Sequence, residues 1–191
     1  MEKLLDTVCV FCGASQNVDY IYQESAIVLG KELAINNYNL VYGGGKLGLM
    51  GLVATSALEN GGKAYGFIPE HLQSFEGGME DLTELHIVDN MHTRKWKMSK
   101  MADGFVLLPG GFGSMDEFFE IITWRQIKLH DKPVVIVNTN GYWSPLIQLM
   151  EGIIEKGFAR EKHRKYFSVV DRAEDAIGEL EKMAKEIKNK K

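Results

Sequence analysis

Cysteine and proline are both scarce in this sequence of 191 residues, which holds two of the first and four of the second. Two thiols cannot staple a chain of this length, and none is needed, because such a chain buries roughly 70% of its unfolded surface in its own core. The pair suits a reducing compartment, so a cytoplasmic protein is expected. Proline and glycine do not gather into a linker and no internal repeat is present, so one domain over 1–191 is expected. No apolar run approaches the ~20 residues of a membrane span, and 1–5 lead straight into a strand-like run, which argues against membrane insertion and secretion. Positive charge is short as well. There are 22 Lys and Arg against 26 Asp and Glu, a net charge of −4, and five of the lysines sit in a basic helical tail over 181–191. That is a poor electrostatic footprint for nucleic acid. The five histidines show no metal-ligand spacing, so no metal is expected.

What is present is ordinary globular material, 45% apolar and 25% charged. Short apolar runs at 7–13, 39–43, 63–68, 84–88, 103–109, 133–138 and 167–170 read as strands, and longer amphipathic stretches separate them. Tyr22, Ala26, Leu29 and Leu33 form the stripe of a helix packed on a sheet. The pattern predicts an α/β fold, a Rossmann-like doubly wound parallel sheet of about seven strands with helices on both faces. The longest irregular stretch, 69–83, is acidic and reads as a lid or binding loop.

In such a sheet the ligand sits outside the carboxyl ends of the strands, where helix N-termini aim free N–H groups at it. Three glycine turns fall there: Gly13-Ala14-Ser15 after the first strand, Gly43-Gly44-Gly45 after the second, and Pro109-Gly110-Gly111-Phe112-Gly113-Ser114 after the fifth. Together they suggest backbone amides around a phosphate, with Gly13, Ser15, Gly44 and Gly45 as candidate members. Gly43 through Gly48 also satisfies G-x-G-x-x-G, but the following strand ends in Pro69 with no acidic residue placed for a ribose, which weighs against a nicotinamide dinucleotide. A P-loop is excluded, because Leu40 and Ala57 stand where the first glycine is required. Cys9 and Cys12 form a C-x-x-C within a strand, so they point to opposite faces and read as buried structural thiols.

The run Met91 to Met101 reads as a helix with Met91, Met98 and Met101 on its apolar face. Arg94 falls on the same face, so the helical period aims a guanidinium inward, toward a carboxylate or phosphate or into a structural ion pair. Ser114-Met115-Asp116-Glu117 reads as an S-x-x-E capping box opening a helix that runs to about Leu129. Its glutamate would stand at the expected ligand edge, within reach of Arg94.

Pro109-Gly110-Gly111-Phe112-Gly113-Ser114-Met115-Asp116-Glu117 resembles the P-G-G-x-G-T-x-x-E signature of the LONELY GUY (LOG) family, whose members release cytokinins from their nucleotides. Phe11 to Ser15, Val41 to Gly51, Met91 to Lys95, and Ile122-Thr123-Trp124 with Asp131-Lys132-Pro133 resemble its other blocks in the same order, and the likeness extends to about Val170. It implies hydrolysis of the N-glycosidic bond of AMP or an N6-substituted AMP, giving free base and ribose 5-phosphate, with no metal or organic cofactor. It places the catalytic pair on Arg94 and Glu117, and substrate contacts on Glu76, Arg94, Lys95, Gly110, Gly111, Phe112, Gly113, Ser114, Met115, Asp116 and Thr123. Ser114 stands where threonine is usual and keeps the hydroxyl. The likeness further implies a homodimer, in which an acidic lid carrying Glu76 would reach across the two-fold axis. Sequences of this kind are often labelled lysine decarboxylase, yet nothing here marks a lysine held for a pyridoxal Schiff base. The competing readings are a nucleotide-binding or sensing module without turnover and, further off, an NAD-dependent oxidoreductase.

Overall fold

A computed structural model describes residues 3–76, 78–79 and 81–190, the side chains of 74–76 excepted. Among the described residues seven strands form one parallel sheet in the order β4-β3-β2-β1-β5-β6-β7. They are β1 (Thr7–Phe11), β2 (Asn39–Tyr42), β3 (Ala64–Pro69), β4 (Glu84–Val88), β5 (Gly104–Leu107), β6 (Val134–Val137) and β7 (Ser168–Val170). All seven expected strands are present. The reason is visible in their burial: β1, β5 and β6 are buried at every position, so their sequences read as unbroken apolar runs. The edge strands β4 and β7 are more exposed.

Strand β1 is central, pairing Val8 with Leu40 of β2 and Cys9 with Phe105 of β5. Alternation along it feeds two cores. Val8 and Val10 pack with α1 (Tyr20–Ile35), α2 (Gly48–Glu59) and α7 (Ala176–Lys188), through Leu29, Leu33, Val53 and Leu180 among others. Cys9 and Phe11 pack with α4 (Met91–Met101), α5 (Phe112–Gln126) and α6 (Ser144–Glu155), through Met98, Phe118, Ile121 and Met150. From β1 the chain winds outward to β4, then returns to lay β5 on the other side of β1. The loops after β1 and β5 therefore part company at the sheet's carboxyl edge and leave a crevice.

Two expectations need correction. The stretch 69–83 is not irregular throughout: α3 occupies Glu70–Glu76, a segment free of glycine and proline with an acidic residue in its first turn. Gly78 then bridges Gly45 in antiparallel fashion, and Met79 N–H donates to the Gly44 carbonyl. Helix α5 begins earlier than the capping box implied. Gly111 is its N-cap, with no side-chain cap, so Ser114 is already the third helical residue and Glu117 lies in the second turn.

Candidate active site

The crevice holds a pocket of about 190 Å³ where the turns after β2, β1 and β5 meet. Gly43, Gly13 and Gly111 supply one wall each, which is the convergence of glycine turns that the sequence suggested. Arg94 and Met91 of α4, Gly113, Ser114 and Glu117 of α5, and Met50 of α2 complete the lining with Val10, Cys12 and Ala14.

Arg94 points inward and is 7% exposed. Its helix is started by Asn90, whose side chain accepts from Thr93 N–H at 2.9 Å. The guanidinium is held mainly by backbone: Nε donates to the Phe67 carbonyl at 2.9 Å and Nη2 to the Gly43 carbonyl at 3.2 Å. A methyl group at position 43 would overlap Nη2, so only glycine lets the guanidinium reach that carbonyl. Nη1 is left facing Glu117, 3.6 Å from its Oε1, and both side chains are more than nine-tenths buried. Two opposite charges out of water compensate each other, and removing either leaves the other exposed to the desolvation penalty.

Glu117 is therefore no part of a helix cap. One turn before it, the first N–H groups of α5 have no partner within the helix and sit at the positive end of its dipole. The buried Ser114 hydroxyl lies among them, packed against Gly110. A helix start whose free N–H groups suit an anion thus adjoins a buried carboxylate and a buried guanidinium. Such a site can hold a phosphate at one end and stabilise positive charge at the other.

Lys95, also buried, turns the other way and joins α4 to α5. Its ammonium donates to Asp116 Oδ2 at 2.8 Å and lies 3.3 Å from Glu120 Oε1. Burial alone pulls its pKa down, but the two carboxylates outweigh it and hold the pKa above the ordinary lysine value. Both cysteines are buried and free. Burial, reinforced by the Glu117 charge, pushes both thiols well above their usual range, so neither supplies a thiolate near neutral pH.

Of the residues singled out in the sequence, the structure brings Gly13, Arg94, Gly111, Gly113, Ser114 and Glu117 to one pocket. Gly110 abuts Ser114 just behind it, and Lys95 and Asp116 engage one another. Phe112 is 87% exposed at the start of α5, while Met115 packs partly into the core and Thr123 is exposed farther along the helix. Gly44, Gly45 and Ser15 do not line this pocket; the first two are tied to Gly78 and Met79. Glu76 ends α3, and its side chain lies outside the described residues. Sequence reasoning missed Cys12 and Met50 as walls and Glu120 as a second anchor of Lys95, and from the turn after β2 it singled out Gly44 and Gly45 where Gly43 lines the pocket. Glu120 was detectable, because it lies one helical turn beyond Asp116.

Residues 50–180 match the family model described as possible lysine decarboxylase. The chain is 44% identical over 175 residues to the probable cytokinin riboside 5′-monophosphate phosphoribohydrolase LOGL2 of Oryza sativa subsp. japonica, covering 91% of this chain and 71% of that one. It is 41% identical over 177 residues to the cytokinin riboside 5′-monophosphate phosphoribohydrolase LOG3 of Arabidopsis thaliana, covering 93% and 82%. Among solved structures, the molybdenum cofactor carrier protein of Chlamydomonas reinhardtii superposes with a TM-score of 0.71 at 17% identity, covering 93% of this chain and 97% of that one, a likeness of fold alone. With the ordered motif blocks, the buried Arg94–Glu117 pair and relatives above 40% identity along nine-tenths of its length, the chain belongs to the LONELY GUY family.

Proposed function

We infer that this protein hydrolyses the N-glycosidic bond of a purine ribonucleoside 5′-monophosphate, AMP or an N6-substituted AMP, to free base and ribose 5-phosphate. The observation that carries this reading is a buried carboxylate and guanidinium 3.6 Å apart, one helical turn from the N–H groups that open α5 and have no partner within the helix. The relatives' activity supports it. The 5′-phosphate sits on Gly111, Gly113 and Ser114 at the start of α5, with Gly13 across the crevice. The ribose then lies over Glu117. As the bond from C1′ to the purine nitrogen breaks, its electron pair leaves with the base, and the Glu117 carboxylate stabilises the positive charge developing on the ribose. Water adds its hydroxyl to C1′, and its proton ends on the departing base. Arg94, fixed by two backbone carbonyls, keeps Glu117 and the phosphate-bound sugar in register. Residues 1–191 act as one domain.

The family likeness supports a cytoplasmic homodimer in which Glu76 of α3 serves the site. Among the described residues no helix is long and apolar enough to cross a membrane. Trp96 and Phe112, exposed on the two helices that carry the catalytic pair, offer an apolar surface for a second copy.

The test is to incubate the purified protein, with no metal or cofactor added, with AMP and with N6-isopentenyl-AMP, and to follow base and ribose 5-phosphate by chromatography. Base is released from at least one nucleotide, and Glu117→Gln lowers turnover at least about a hundredfold while keeping the circular dichroism of the parent. Nucleotide bound without release of base would instead make the chain a binding module.

A further inference from the structure

We propose that Tyr142 is a positioning residue for anion binding: its hydroxyl turns the Gly110 carbonyl away from the pocket, so that the N–H groups opening α5 face the phosphate. The inference rests on the reading of that helix start as a phosphate site. Tyr142 follows the short turn Thr139–Gly141 beyond β6 and lies thirty-two residues from Gly110, to whose carbonyl it donates at 2.6 Å. Its ring is fixed on two sides. Tyr22 of α1 meets it edge-on with centroids 5.3 Å apart, and the buried Trp143 does so at 4.8 Å.

The carbonyls on either side of Gly110 are held as well. Pro109 O accepts from Gly13 N–H at 3.1 Å, and Gly111 O accepts from Met115 N–H at 3.1 Å. Three successive carbonyls of the loop are thus occupied by donors of the fold. A carbonyl swung into the pocket would present the negative end of its dipole to a phosphate, whereas the N–H groups present the positive end. Two of the three donors are backbone. The Tyr142 hydroxyl is the side chain of the set, and it acts through Gly110, because Tyr142 is not among the residues lining the pocket. The aromatic pair that aims it comes from α1 and the turn after β6, so the loop's orientation is set from outside the loop.

The experiment compares wild type, Tyr142→Phe and Tyr142→Leu by AMP hydrolysis and, separately, by calorimetric titration with ribose 5-phosphate and with adenine. Tyr142→Phe keeps both ring contacts and loses only the hydroxyl. It raises the KM for AMP and the Kd for ribose 5-phosphate about three- to tenfold, with a smaller change in kcat and adenine affinity preserved. Tyr142→Leu shows the same loss together with a lower thermal midpoint. Wild-type affinity for ribose 5-phosphate in Tyr142→Phe overturns the proposal, and so does an equal loss for adenine, which would mark a general structural role. If the wild type releases no base from AMP, the reading of function fails, while the ribose 5-phosphate titration still decides the role of Tyr142. A wild type that binds no ribose 5-phosphate overturns the proposal itself.

Discussion

Arg94 is a charge that the fold can bury because the Phe67 and Gly43 carbonyls and the Glu117 carboxylate meet it, with Met91 Sδ as a weaker acceptor beside Nη1. The two carbonyls matter as much as the ion pair, since they fix two of the three guanidinium nitrogens and leave the third to face the pocket. Gly43 thus helps to place Arg94 although it has no side chain. Gly43→Ala would push its methyl into Nη2 and crowd Met50 Sδ. The expected outcome is a fall in kcat/KM of about a hundredfold with the fold retained, read by steady-state kinetics beside a thermal melt. Activity within twofold of wild type would show that the guanidinium tolerates a new place. Arg94 and Glu117 were legible in the sequence, one from its helical period and the other from its motif. Gly43's service to Arg94 was not, because fifty-one residues separate them and no local pattern records which carbonyl a distant guanidinium will find.

At the scale of elements, the site depends on how α4 and α5 are held together. Lys95 joins them beside the pocket through Asp116 and Glu120. Past the far end of α5, His130 and Lys132 make a second junction: His130 Nε2 lies 3.0 Å from the Ile121 carbonyl, Nδ1 accepts from Lys132 N–H, and Lys132 Nζ donates to the Ser99 carbonyl of α4. Because Nδ1 accepts, Nε2–H is the donor and the ring is neutral. Burial is the main cause that pushes its pKa down to about 4, with the charges of Lys132 and Arg125 adding to it. The unfolded chain, with an ordinary histidine near 6.5, takes up the proton first. This junction's contribution is therefore complete above pH 6.5, declines as pH falls toward 4, and levels off below that. Urea unfolding at pH 7.5 and 4.5 should show His130→Gln losing about 1–3 kcal/mol less than wild type between the two. Equal losses would mean that His130 is charged in the folded state. Helix boundaries were the least legible feature. The capping-box reading placed the start of α5 at Ser114 because S-x-x-E is a good local signal, but Gly111 opens the helix under the tertiary hold on Pro109 and Gly110.

For the whole molecule, strand number and parallel direction could be read from apolar runs, yet the spatial order could not. That order sets β1 between β2 and β5 and so gathers three glycine turns distant in sequence. If a second copy completes the site, sedimentation should give twice the mass of the chain, and activity per chain should fall on dilution into the range where dimers dissociate. A monomer with undiminished activity would sink that expectation. The two thiols have a practical consequence here. Both are protonated, Cys9 wholly buried in the sheet's core and Cys12 7% exposed at the pocket wall, and the sequence has no others. With so little thiolate, maleimide at neutral pH should react far more slowly with the native chain than with one cysteine engineered on the surface, for instance in place of the exposed Phe158, which then becomes the main point of attachment for a dye. The native chain thus stands close to the cysteine-free background that site-specific labelling usually has to build by mutation.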